Sequence, residues 1–282
     1  PAPSTILHSN FVRPIESPPL LLIIASANRT KPGYRSNREL FLTLEAGKDI
    51  ALDRDAWSGA LRYLQDCMTL ARDQGHPGVL RARELFATAK RKIDALAFSA
   101  PDPERTIRFH GLGPKRPDLF ARLSGHWEEA SGAVRSIYAI SPFFDVNVDR
   151  AEKTRDALWG LASKKGDIEL QLSARMEKDK ESGTRILAPK CWGETPRSSA
   201  SLGIHGVGYL DSEANERRPL HAKAIFLEND DCQLSCIGSA NLTAAGTGLA
   251  RTPNWEASAS VMMHRSRERK LCELIDQVYI AL

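Results

Sequence analysis

His221-Ala222-Lys223-Ala224-Ile225-Phe226-Leu227-Glu228 leads to Gly238-Ser239-Ala240-Asn241-Leu242-Thr243, whose glycine lies 17 residues after the histidine, and then to Asn254-Trp255-Glu256. The same order recurs near the chain start. His8-Ser9-Asn10 lies 17 residues before Ala25-Ser26-Ala27-Asn28-Arg29-Thr30, and Asn37-Arg38-Glu39 follows. A histidine, a short polar turn and a carboxylate that recur together predict one site built from two related halves.

The pair His221 and Lys223 is predicted to lie on a strand, where residues i and i+2 share a face. An imidazole and an ammonium would project side by side. A phosphate suits them, because lysine offers a point charge while histidine attacks or donates a proton. Ser239, Asn241 and the close backbone approach allowed by Gly238 add donors for phosphoryl oxygens. Glu256 is expected to accept from the second ring nitrogen of His221 and fix its tautomer. Alone, a His-x-Lys is an ordinary polar strand edge, and Gly-Ser-Ala-Asn is an ordinary turn. The joint spacing and its repeat point to a site.

The pattern resembles the phospholipase D superfamily, whose signature is His-x-Lys, an acid five residues after the lysine, and Gly-Ser-x-Asn. His221, Lys223, Glu228, Gly238, Ser239 and Asn241 match it, with Glu228 where the family usually has aspartate. Ile140-Ser141-Pro142-Phe143-Phe144-Asp145 looks like the family's opening strand and loop. The likeness covers about 136–265, and 5–45 in part; residues 50–130 match nothing in it.

The resemblance implies an α/β fold of phospholipase D-like mixed-sheet sandwich units. Two units would form a pseudo-twofold pair with a helical insert, the first unit being incomplete. The expected organisation is 1–50 for the remainder of the first half with a degenerate motif, 51–130 for the insert and connector, and 131–282 for the second half with the intact motif. It also implies chemistry without metal or other cofactor. One histidine attacks phosphorus to form a phosphohistidine, the other protonates the leaving oxygen, and water then releases the product. The catalytic candidates are His221, Lys223, His8 and Glu256. Ser239, Asn241, Asn10, Ser26 and Asn28 are the phosphate-binding candidates, with Glu39 orienting the opposite half.

The first copy departs from the pattern. Asn10 replaces the lysine, Ala25 replaces the glycine, and Ile15, beside Glu16, stands at the acid position. Two readings stay open. The histidines form a functional asymmetric pair; or the first half is decaying and the second works with another subunit, as in a homodimer, or not at all. The chain opens with Pro1-Ala2-Pro3 and lacks the strand and helix that should precede His8. It is therefore expected to be the later part of a longer protein, with an upstream domain or partner subunit. A His-x-Lys in that upstream part would make His8 a bystander.

Along the chain, Leu20–Ile24 has strand character, as does the stretch from Glu39 to Leu44. Helical spacing covers 55–72 and 79–95, separated by Gly75-His76-Pro77-Gly78. Residues 101–117 read as a Gly- and Pro-containing connector. Ile137–Ile140 is a buried strand, and Asn147 or Asp149 caps the helix that follows. Strands are expected at 167–172, 204–210, 222–227 and 234–237, with a closing amphipathic helix from Arg267 to about Ala281.

At 282 residues, 42% hydrophobic and 26% charged, the chain fits a globular protein with ample core. A net charge of +4 and a pI of about 8.8 permit a polyanionic partner. Lys90-Arg91-Lys92 and Lys115-Arg116 lean the same way. The five cysteines are scattered and odd in number, as for reduced core thiols in the cytoplasm, and Cys232 with Cys236 lacks a second ligand pair for zinc. The longest apolar run, Leu20–Ile24, falls far short of the ~20 residues that span a bilayer. The expected function is a metal-independent phosphodiesterase, foremost a nuclease acting on DNA or RNA and not at a membrane. The alternatives are an inactive module that holds nucleic acid or a partner protein, and a phospholipid-cleaving phospholipase D.

Overall fold

The computed structural model of the chain describes residues 20–26, 39–46, 54–96, 105–130, 132–164, 166–179, 183–196, 198–207 and 220–264. His8, Asn10, Asn28 and the helix expected from Arg267 lie outside the described residues.

A large mixed sheet dominates. Its strands are β3 (Arg105–Leu112), β4 (Ser136–Ser141), β5 (Ile168–Asp179), β6 (Gly183–Ile186), β7 (Ala200–Val207), β8 (Ala224–Glu228), β9 (Cys232–Gly238) and β10 (Glu256–His264). They run in the order β3-β10-β9-β8-β4-β5-β6, with β7 also paired to β5. β5 is parallel to both β4 and β7, and the remaining pairings are antiparallel. The centre is β8, buried from Ala224 to Leu227 as its continuous apolar run requires. The alternation in β9 buries Cys232, Leu234 and Cys236 on one face, which makes these cysteines core residues.

Two helices cover that face. Asp118 caps α3 (Leu119–Trp127), its carboxylate accepting from the Ala121 N–H at 2.9 Å. Asn147 caps α4 (Val148–Trp159) through the Arg150 N–H at 3.1 Å, the first of the two expected caps. Leu119, Phe120 and Leu123 of one helix and Leu158 and Trp159 of the other pack with Leu170, Leu172 and Leu234 of the sheet. Burying each such side chain is worth roughly 1.5–3 kcal/mol.

The first hairpin, β1 (Leu20–Ala25) and β2 (Phe41–Ala46), forms its own two-stranded sheet and packs against β9 and β10. Its register repeats that of β9 and β10. Ala25 faces Phe41, two residues past Glu39; Gly238 faces Ser258, two residues past Glu256. Two helices, α1 (Arg54–Thr69) and α2 (Pro77–Asp94), cover it, with Trp57 and Ile93 buried among Leu20, Leu22, Leu44 and Leu61.

One segment departs from expectation. The stretch 101–117 is not simply a connector: its residues 105–112 form β3, the strand beside β10. Thr106, Ile107 and Phe109 suit a strand once β10 supplies a ladder, and Gly111, which reads as a breaker, is where Tyr63 of α1 lies. A Cβ built on Gly111 would sit 2.2 Å from Cδ2 of Tyr63, so the ring needs the bare backbone.

Candidate active site

His221 and Lys223 are not within a regular strand. They occupy the extended segment that enters β8 at Ala224. The i, i+2 geometry holds even so: Nζ of Lys223 lies 3.2 Å from Nδ1 and 3.4 Å from Nε2 of His221. Lys223 is only 3% exposed. Its ammonium donates to the carbonyl of His221 at 2.6 Å and to that of Ser26, in the first hairpin, at 3.3 Å. Burial lowers its pKa to about 8, although Glu39 and Glu256 both favour the charged form.

The carboxylate on His221 is Glu39. Its Oε1 lies 2.7 Å from Nδ1 of His221, and its side chain is 3% exposed. Glu256, the residue expected there, instead accepts from Asn254 Nδ2 at 3.1 Å and from Ser239 Oγ. The physical reason is the packing of the first hairpin against β9 and β10, which brings its acid to the imidazole carried on the segment before β8. Burial raises the pKa of Glu256, while Ser239, Asn254 and Lys223 pull it back.

Ser26 and Ser239 are placed differently from their expected phosphate-donor role, because their hydroxyls are already engaged. Ser26 Oγ donates to Glu39 Oε2 at 2.5 Å and accepts from the Leu40 N–H at 3.0 Å. Ser239 Oγ donates to Glu256 and accepts from the Ala257 N–H at 3.0 Å. Each serine therefore holds the acid that follows it. Gly238 has a packing reason as well: a Cβ there would lie 2.5 Å from the Ala257 carbonyl oxygen. Asn241 sits in the turn beyond, its side-chain oxygen buried with no hydrogen-bond partner among the described residues.

Two surroundings of the site escape a motif-based reading. Phe143, in the loop after β4, presents its ring to His221 at a centroid distance of 6.0 Å and an interplanar angle of 78°. Its sequence signal was the aromatic pair after Ser141-Pro142. On the other flank, Arg116 stacks over Tyr63 at 5.4 Å and Trp255 at 5.6 Å and pairs with Asp66. That staple ties α1 to the residue beside Glu256. It also gives Arg116 a structural role in place of a free basic patch.

Chemically, Glu39 as acceptor of Nδ1–H leaves the lone pair of His221 on Nε2, available for attack on an electrophile. The neighbouring ammonium suits an anion. Among the described residues, no group of three or more His, Cys, Asp and Glu is placed to hold a metal ion.

No family model matches the chain, and no curated protein matches it. The chain is similar to solved structures of yeast tyrosyl-DNA phosphodiesterase. One such structure is 15% identical, with a TM-score of 0.46 over 88% of this chain and 65% of that one. A mutant form of the same enzyme is 14% identical, with a TM-score of 0.45 over 88% of this chain and 66% of that one. The chain thus spans about two-thirds of the length of those proteins.

Proposed function

We propose that this chain is a phosphodiesterase of the phospholipase D type that cleaves nucleic acid through His221. The observation that carries the reading is the pairing of His221 Nδ1 with Glu39 at 2.7 Å, with the Lys223 ammonium on the same ring. A buried carboxylate fixes the tautomer, and a buried cation marks where an anion binds.

In this reading Nε2 of His221 donates its lone pair to phosphorus, and the P–O bond to the leaving group breaks. His8 supplies the proton that the leaving oxygen takes. A water molecule then gives its proton to His8 and attacks phosphorus, and the P–N bond breaks to return the lone pair to His221. Glu256 would serve His8 as Glu39 serves His221. That reciprocity is the pseudo-twofold arrangement in which the first hairpin is the remainder of one unit and α1–α2 are an insert. Asn241, Asn28 and Asn10 complete the phosphate clamp beside Lys223, Asn10 contributing an amide in the lysine slot.

The test is cleavage of single- and double-stranded DNA and RNA in EDTA by wild type and His221→Ala. Loss of cleavage in the variant is expected; cleavage that survives unchanged would refute the assignment. The replacement of lysine by Asn10 favours a second reading, a module that binds nucleic acid without cutting it. Binding without cleavage by both proteins would select that second reading.

A further inference from the structure

Phe143 is a large apolar side chain left 44% exposed at the mouth of the site, while the loop carrying it is firmly held. Ser141 Oγ donates to the Phe143 carbonyl at 2.8 Å and accepts from the Leu242 N–H at 3.1 Å. The Asp145 carboxylate accepts from the Ala244 N–H at 2.6 Å. Phe144, the next residue, packs against Trp192 with ring centroids 5.2 Å apart and forms a bridge to Leu242. The loop is therefore stitched to Leu242 and Ala244, just beyond the Gly-Ser-Ala-Asn turn, on both sides of Phe143. Its backbone is fixed, one aromatic goes inward, and the other stands beside His221 with its outer surface in water.

We propose that Phe143 is a substrate-stacking residue, receiving a flat unsaturated ring, a nucleobase, carried on the ester next to the phosphorus that His221 attacks. The inference rests on the reading of His221 as the attacking group. Aromatic faces accept any base, because every base has a π-face, and such contacts need no sequence-reading hydrogen bonds. An alkyl chain would need an apolar trough. Val146 on the same loop and Val148 at the start of α4 are exposed too, at 98% and 58%, but Asp145 and Asp149 flank them, and an anionic membrane surface repels those carboxylates.

The test uses full-length His221→Ala protein, which cannot turn over, and measures fluorescence anisotropy with two labelled probes. One is a thymidine tetranucleotide; the other is an abasic tetramer with the same phosphates. Adding Phe143→Leu should weaken tetranucleotide binding by about 5- to 100-fold and abasic binding less than about two-fold, while Phe143→Trp retains both. Equal weakening of the two probes, or no preference for the base-bearing one before the change, overturns the proposal. Wild-type cleavage of an aryl phosphodiester is measured in parallel. Absent cleavage with the base-dependent difference intact sinks the catalytic reading and supports stacking; cleavage without that difference sinks stacking alone.

Discussion

The Lys223 ammonium donates to the backbone carbonyl of Ser26, 197 residues earlier in the chain, at 3.3 Å. A buried cation of the second half is thus anchored on the main chain of the first. The contact lowers the freedom of the lysine, and its burial outweighs the pull of Glu39 and Glu256, which is why its proton is held loosely, with a pKa near 8.

Anion binding should therefore weaken as pH rises through about 8, where free Lys223 loses its charge. The sign follows from the direction of the shift: the cation is fully present below that value, and a bound phosphate favours it further. Calorimetric titration of a phosphodiester at pH 8–9, in buffers of different ionisation enthalpy, should register proton uptake. Uptake of no protons would show that Lys223 does not meet the anion.

Glu39→Gln should lower kcat about 10²- to 10⁴-fold with little change in KM, because it replaces an acceptor-only carboxylate, which fixes the His221 tautomer, with a neutral amide that can also donate. Glu256→Gln should spare covalent-adduct formation from an activated aryl ester, whose leaving group needs no proton. Rapid-quench measurement of the adduct separates them. If Glu256→Gln blocks adduct formation and Glu39→Gln does not, the crosswise assignment is wrong.

Gly111→Ala should cost about 1–3 kcal/mol, because the added methyl meets the Tyr63 ring at 2.2 Å. In a Tyr63→Ala background the same change should cost far less. Thermal unfolding of the four proteins of this cycle measures the coupling. Additive shifts would mean that the ring and the glycine do not constrain one another.

Acid should unfold the protein earlier than its carboxylates alone would. His110 and His126 share the hydroxyl of Ser260, each at 2.6 Å, between β3, β10 and α3. Burial lowers their pKa values to about 3 and about 4 from 6.5. Between pH 6.5 and those values the unfolded chain binds the protons first, so stability is lost as pH falls across that window. Ser260→Ala leaves both imidazoles short of a partner and should cost about 1–3 kcal/mol at pH 7. A flat urea midpoint between pH 6.5 and 4 would contradict the linkage.

Much of this was legible in the residues. β8 announces itself by an unbroken apolar run and α4 by its Asn147 cap, both local signals. The two Ser-to-Glu units were visible as a repeat, and the strand pairs that carry them share one register. β3 was hidden because a strand at 105–112 depends on a partner 150 residues later, and its glycine belongs to Tyr63 rather than to a turn. The partner of His221 was hidden for a related reason. Spacing within a motif ranks the acid of the same copy first, whereas packing of the first hairpin on the large sheet decides which carboxylate arrives.

The Glu39–His221 contact joins groups with no covalent obligation to share a chain. Two polypeptides that exchanged their first hairpins would rebuild the same acid–imidazole pair from separate molecules. Two inactive variants, one altered at Glu39 and one at His221, would then hold between them one unaltered pair. Recovery of activity on mixing would mark such an exchange.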